Sequence, residues 1–149
     1  MVLARLWQAV GCVALLLATG HAHALTSEQA LAIASGDSES RVQALNQAVL
    51  DADDKTAAFI QAVADDSVKY TEDKVFVIKD DKGFDPVTGA EVPVPETAED
   101  VVNNNYMRSA LDAAQAALRL ASPDEKVRAE AADALFKDPD ESRLALVQK

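Results

Sequence analysis

The cysteine and histidine side chains of this chain, which often perform nucleophilic or metal-binding chemistry, all lie within its first 24 residues. That stretch contains the single cysteine, Cys12, and both histidines, His21 and His23. If it is removed, the remaining chain can form neither a serine–histidine nor a cysteine–histidine nucleophile pair. It would also hold no disulfide and no cysteine metal site.

The same 24 residues have the pattern of a secretory signal peptide. Arg5 gives the positive start, Leu6 to Thr19 form an apolar stretch of 14 residues, and Ala22-His23-Ala24 is an A-x-A cleavage site. A transmembrane anchor would need about 20 apolar residues, and this stretch is shorter and interrupted by Gln8. A lipid anchor at Cys12 is also disfavoured, because the apolar residues mostly follow it. We therefore expect an exported chain that begins at Leu25.

The 25 acidic residues are too widely scattered to mark a catalytic pair. They fall at expected helix starts and turns, which predicts caps and solvated faces rather than paired carboxylates for glycosidase-type chemistry. The group of Asp80, Asp81 and Asp85 around Gly83 fails as an EF-hand loop, because Ile78 would occupy its first ligand position. No enzyme activity, cofactor or metal site is predicted.

Charge restricts the classes of partner. The chain has 14 basic residues and a formal net charge of −11, and removal of the first 24 residues takes away one base and no acid. Nucleic acid and anionic membrane surfaces are therefore not expected as partners. After Thr19 no apolar run is long enough to span a bilayer.

Five polar residues are candidates for contact with a protein partner. The run Asn103-Asn104-Asn105 is unusual inside an expected helix, because asparagine is a poor helix former. Its amides could instead bond the neighbouring hairpin backbone or close the start of the helix. Arg108 is expected to pair with Asp112 along the helix. The fifth candidate, Arg128, could form an ion pair with a neighbouring helix rather than contact a ligand.

The elements that must position these residues are mainly helical. Thr26 and Gln29 form a capping-box pattern for a first helix, and Asp37 or Ser38 can cap a second. A third helix is expected over 55–70. After it we predict a β-hairpin or meander, from the β-branched and aromatic run at 75–78, the turn at 81–83, and three prolines and one glycine between residues 86 and 95.

Helix resumes at Thr97, the expected N-cap of a long helix to about Ala121. Ser122-Pro123-Asp124-Glu125 then starts another helix, and a last one begins at 141–148. The predicted organisation is a signal peptide (1–24), a helical cluster (25–72), a β-hairpin insertion (73–96), and a long helix with an incomplete HEAT-like repeat (97–149). The predicted fold class is mainly α.

Several segments in order give the chain a resemblance to a known family. They are ALTSEQALAIASGD at 24–37, RVQALN at 41–46, Asp85 with Thr88-Gly89, AEDVVNNN at 98–105 with Arg108, and SPDEKVRAEAADAL at 122–135. Together they resemble the N-terminal extracytoplasmic extension of UrtB-type urea ABC transporter permeases, in the branched-chain amino acid permease family. The Asn-rich segment after a proline-containing hairpin is the most specific part.

The resemblance implies a non-catalytic periplasmic domain, at the outer face of the inner membrane where it is attached to a permease. Its partners would be other subunits of an ABC importer, including the periplasmic substrate-binding protein. The chain is expected to be truncated before the membrane-spanning part, since it stops within a repeat helix. The alternative from the residues is a free-standing exported helical-repeat module that binds another protein.

Overall fold

The computed structural model describes residues 24–137, which form five helices and five short strands. The predicted signal peptide and the predicted helix at 141–148 fall outside these residues, except for Ala24. The helices are α1 (Ser27–Ala34), α2 (Ser38–Leu50), α3 (Asp54–Ala64), α4 (Asn105–Leu120) and α5 (Glu125–Lys137). The strands are β1 (Val68–Tyr70), β2 (Val75–Lys79), β3 (Lys82–Phe84), β4 (Glu91–Val92) and β5 (Glu99–Asp100).

Side-chain caps define where the first three helices begin. The predicted capping box of α1 is present: Gln29 N donates to Thr26 Oγ1 at 3.1 Å, and Thr26 N donates to Gln29 Oε1 at 3.0 Å. Asp37 accepts from two amides of α2, and Asp53 accepts from Thr56 N at 2.8 Å in α3. Each cap satisfies amides that have no partner within the helix.

The prediction that α3 extends to Tyr70 is wrong. The helix ends at Ala64, and Asp66 takes a positive φ of 53°, a left-handed conformation in which a helix cannot continue. Val68–Tyr70 then pairs with Val75–Val77 as an antiparallel strand. The sequence did not predict this change, because Val68 follows the preceding apolar residues at helical spacing. A three-residue strand also has too little pattern of its own.

The β region is a five-stranded antiparallel sheet with the order β4-β3-β2-β1-β5. The fold is therefore mixed α and β rather than mainly α as predicted. The hairpin between β2 and β3 turns at Asp80 and Asp81, both with positive φ, and not at 81–83 as expected. Positive φ at both central residues suits the tight turn of a two-residue hairpin.

The predicted helix start at Thr97 is also wrong. Glu99 and Asp100 form β5 and pair with Tyr70 and Lys69, and α4 begins only at Asn105. Local propensity favoured a helix here, but pairing across 29 to 31 residues fixes an extended backbone instead.

The main core lies where the helices pack together and against one face of the sheet. The helix α4 packs against α2 and α3, while α1 packs against α2, β1 and β2. The fully buried large side chains of this core include Leu25, Ile33, Leu45, Phe59, Ile60, Met107 and Leu111. The last helix of the described residues, α5, packs on α4. This single pair does not establish a HEAT-like repeat, which stays a proposal.

A strap at residues 93–98, with a turn at Glu96 and Thr97, crosses the other face of the sheet. It connects β4 at one edge to β5 at the opposite edge. Val75 and Val77 belong to the main core, so Phe76 between them faces the strap side, where it is also buried. Gly83, which pairs with Ile78 on that side, lies directly under Val94.

Within residues 24–137, the longest helices lack the length and apolar character that a membrane-crossing segment needs.

Close approach of the strap to the sheet predicts that Gly83→Ala destabilises the protein. A Cβ at Gly83 would overlap Cγ2 of Val94 and come within 3.0 Å of the Val92 carbonyl oxygen. We expect a loss of about 1–3 kcal/mol in the free energy of unfolding, measured by urea denaturation. Val94→Ala removes the overlapping atom, so the double variant should lose less than the two single changes added together. Strict additivity would contradict this packing.

Candidate functional site

The start of α4 brings three of the five candidate residues to the start of α2 and the end of α3. Asn103, Asn104 and Arg108 meet residues from α2, α3 and the turn after α3. Four of the side chains at this junction are connected by hydrogen bonds, and we refer to them as the polar hub: Arg41, Asp66, Asn103 and Arg108.

Asn103 lies at the centre of the polar hub, with only 6% of its surface exposed. Its Oδ1 accepts from Arg41 Nη2 at 2.9 Å. Its Nδ2 donates to the Val63 carbonyl at 2.8 Å and to Asp66 Oδ1 at 2.9 Å. A single amide thus joins α2, the end of α3 and the segment before α4.

Arg41 is the member of the polar hub that sequence reasoning missed. Its side chain is 5% exposed, and besides Asn103 it donates from Nε to the Ile33 carbonyl and from Nη1 to the Val102 carbonyl, both at 2.8 Å. These acceptors are neutral oxygens. Desolvation lowers the pKa of Arg41, and the nearby Tyr70 partly opposes this. An arginine pKa starts so high that the group remains charged.

Helix ends help to balance this buried charge. Ile33 is in the last turn of α1, where carbonyls lack helical partners and carry the negative end of the dipole. The side-chain amide of Asn103 likewise donates a hydrogen bond to the Val63 carbonyl in the last turn of α3. The sequence contained one signal for Arg41: it precedes Leu45 by four residues and Ala48 by seven, which places a cation on the buried face of α2.

Asp66 and Arg108 close the outer side of the polar hub. Arg108 Nη2 lies 2.9 Å from Asp66 Oδ2, and Arg108 Nε donates to the Asn103 carbonyl at 3.2 Å. Arg108 pairs with this turn across the fold rather than along its own helix with Asp112 as expected. Hydrogen bonds from Arg108 and then Asn103 lower the pKa of the Asp66 carboxyl.

The other candidates lie apart from the buried centre. Asn104 is the N-cap of α4: its Oδ1 accepts from Met107 N at 2.9 Å, and its Nδ2 donates to Ser38 Oγ at 2.7 Å. Asn105 is exposed at the first helical position. Arg128 donates to the carbonyls of Ser122 and Pro123, at 2.8 and 2.9 Å, and so ties α5 to the turn before it.

The asparagine run therefore includes one residue that closes a helix start, as one of the alternatives from the sequence held. The backbone that Asn103 bonds belongs to α3 rather than to the hairpin. Among residues 24–137, no buried side-chain nitrogen or oxygen is left without a partner. No group of three metal-binding side chains occurs in the same part of the chain. The polar hub is consequently suited to holding elements together.

Comparisons of the chain with models of protein families, with curated proteins and with solved structures returned no match.

Loss of the central amide should destabilise the fold strongly. Asn103→Ala leaves one Arg41 nitrogen without its partner in a buried site, and it removes one of the two hydrogen bonds that the Val63 carbonyl accepts. We expect a loss of about 2–4 kcal/mol in the free energy of unfolding, measured by chemical denaturation. Asn105→Ala is the matched control, because its side chain is exposed and should change stability by less than about 0.5 kcal/mol. Equal effects of the two variants would exclude the central role of Asn103.

The lowered pKa of Asp66 predicts a pH-dependent contribution to stability. The ionised carboxylate is favoured in the folded state, so its contribution is complete at neutral pH and is lost as the pH falls below about 5, through the folded pKa. Asp66→Asn keeps the left-handed backbone accessible. The difference in unfolding free energy between the parent and this variant should therefore shrink as the pH falls from 7 to about 3. A difference that stays constant over this range would contradict the assignment.

Proposed function

We propose that this chain is an exported, non-catalytic domain of a urea-type ABC transporter permease subunit, and that it supports uptake through contacts with protein partners. The proposal rests on the predicted signal peptide and on the resemblance of the segments between residues 24 and 135 to the extracytoplasmic extension of such permeases. The partners would be other importer subunits, including the periplasmic substrate-binding protein.

The observation that carries the proposal is the structural role of the residues that carry the resemblance. Arg41 and Asn103 form the buried centre of the polar hub, while Asn104 caps α4. Asp85 organises the loop after β3 by accepting from the amides of Val87 and Thr88 at 2.8 Å. The likeness therefore falls on positions with specific structural tasks, which is more informative than a likeness confined to alanine-rich helix faces.

The chemistry of the polar hub also favours a structural role. Its two arginines, its carboxylate and its amide bond to one another and to backbone carbonyls. A catalytic group would have to leave these partners in order to act on a substrate. Contacts with other proteins use surface residues instead and leave the polar hub intact.

Co-purification tests this function directly. The chain, tagged at its C-terminus and expressed from residue 1 in the source organism, should be exported and should be recovered with importer subunits after mild cross-linking. An acidic periplasmic protein of similar size, tagged in the same way, controls for non-specific charge attraction. Deletion of the gene that encodes the chain should lower the uptake of radiolabelled urea.

Two results would contradict the proposal. One is unchanged urea uptake after the deletion, together with recovery of the chain free of importer subunits. The other is retention of the chain in the cytoplasm. Export with specific recovery of an unrelated periplasmic protein would instead favour the alternative, a free-standing protein-binding module.

A further inference from the structure

A groove runs beside the strap, and its walls also include Ser27 and Ala30 of α1 and the turn between β1 and β2. It consists of two adjoining depressions, of about 570 and 450 Å³, which share Asp73, Lys74, Phe76 and Pro95. One extends to Glu99 in β5 and the other to Val92 in β4. We call this surface the strap groove.

The sheet order sets the length of the strap groove. β4 and β5 are the two edge strands, separated by four strand spacings. At about 4.8 Å per spacing the distance from edge to edge is about 19 Å, which corresponds to about six residues of extended chain. The strap, residues 93–98, crosses the same distance with a turn at its end, where Ala98 N donates to the Pro95 carbonyl at 3.0 Å. The strap groove is therefore long enough for a second extended segment.

The walls of the strap groove offer apolar surface from proline rings. Pro86, Pro93 and Pro95 line it together with Phe76, and Pro93 and Pro95 are exposed. Apolar side chains of a ligand therefore suit these walls.

Charge completes the description of the ligand. Glu72, Asp73 and Glu99 line the depression nearer β5, against the single base Lys74. Glu72 and Asp73 are exposed at the turn between β1 and β2, where their carboxylates are accessible. Three acids against one base favour a cationic ligand, on a chain whose formal net charge is −11.

We propose that the strap groove binds an extended segment of a protein partner that carries lysine or arginine side chains. Apolar side chains of the segment would contact the proline rings, while its cations would pair with Glu72, Asp73 and Glu99. This inference deepens the proposed protein-binding function and rests on it, because it assigns the surface and the chemistry of the partner.

Binding of two synthetic peptides to the purified chain tests the inference. The probe is fluorescein-labelled Lys-Pro-Leu-Lys-Pro-Leu-Lys-Pro, and the control peptide has glutamate in place of each lysine. We expect saturable binding of the lysine peptide, measured by fluorescence anisotropy, and at least tenfold weaker binding of the glutamate peptide. Affinity should fall with added salt, because exposed charge pairs are screened.

Variants distinguish the strap groove from general attraction to an acidic protein. The double variant Glu72→Gln, Asp73→Asn should bind the lysine peptide at least fivefold more weakly than the parent. Glu39→Gln with Asp112→Asn, at exposed positions of α2 and α4, removes the same two charges as a matched control and should change the affinity less than twofold. Amide NMR shifts caused by the peptide should map to residues 72–76 and 93–99.

Several outcomes would overturn the inference: no binding of the lysine peptide, equal weakening by the control variant, or NMR shifts elsewhere on the chain. Equally tight binding of spermidine at the same residues would also overturn it, because the site would then recognise a small organic cation rather than a protein segment.

Co-purification separates this inference from the proposed function. Recovery of importer subunits that persists in the Glu72→Gln, Asp73→Asn variant would retain the function and reject the strap groove as the docking surface. Binding of the lysine peptide in the strap groove without recovery of any importer subunit would reject the transporter role and retain the groove as a peptide-binding site.

Discussion

The burial of the Arg41 guanidinium is the constraint on which the arrangement of the first four helices depends. A buried cation is costly unless its donors are satisfied, and no carboxylate among residues 24–137 contacts this one directly. Its acceptors come instead from the end of α1, the segment before α4 and the side chain of Asn103. These groups can surround the guanidinium only if the helices meet in one particular arrangement, so the charge selects the packing as well as stabilising it.

The same constraint connects the helices to the sheet. Val102, whose carbonyl accepts from Arg41, follows Val101, whose amide donates to the Val68 carbonyl in β1 at 3.0 Å. Two adjacent residues therefore do both tasks: Val101 holds the chain beside β1, and Val102 accepts from Arg41 of α2. This explains why a strand as short as β5 is ordered, although two strand residues contribute little by themselves.

Local chemistry was readable from the sequence, and long-range pairing was not. The capping box at Thr26 was predicted correctly because its two partners lie three residues apart. The start of α4 was misplaced because Thr97 and Asn104 are both good N-caps, and only the pairing of Glu99 with Tyr70 decides between them. Asn103 was singled out by composition, but its partner Arg41 lies 62 residues away and no local pattern connects them.

The polar hub and the strap groove share structural supports, and this has a consequence for binding. Ser35, which lines the groove, follows Ile33 by two residues and donates from Oγ to the Leu31 carbonyl at 2.8 Å. Glu99, on the same wall, accepts from Tyr70 OH at 3.1 Å. Both lie close in sequence to residues whose carbonyls accept from Arg41. Groove side chains held in this way lose little conformational entropy when a ligand binds, which favours affinity from a small contact area.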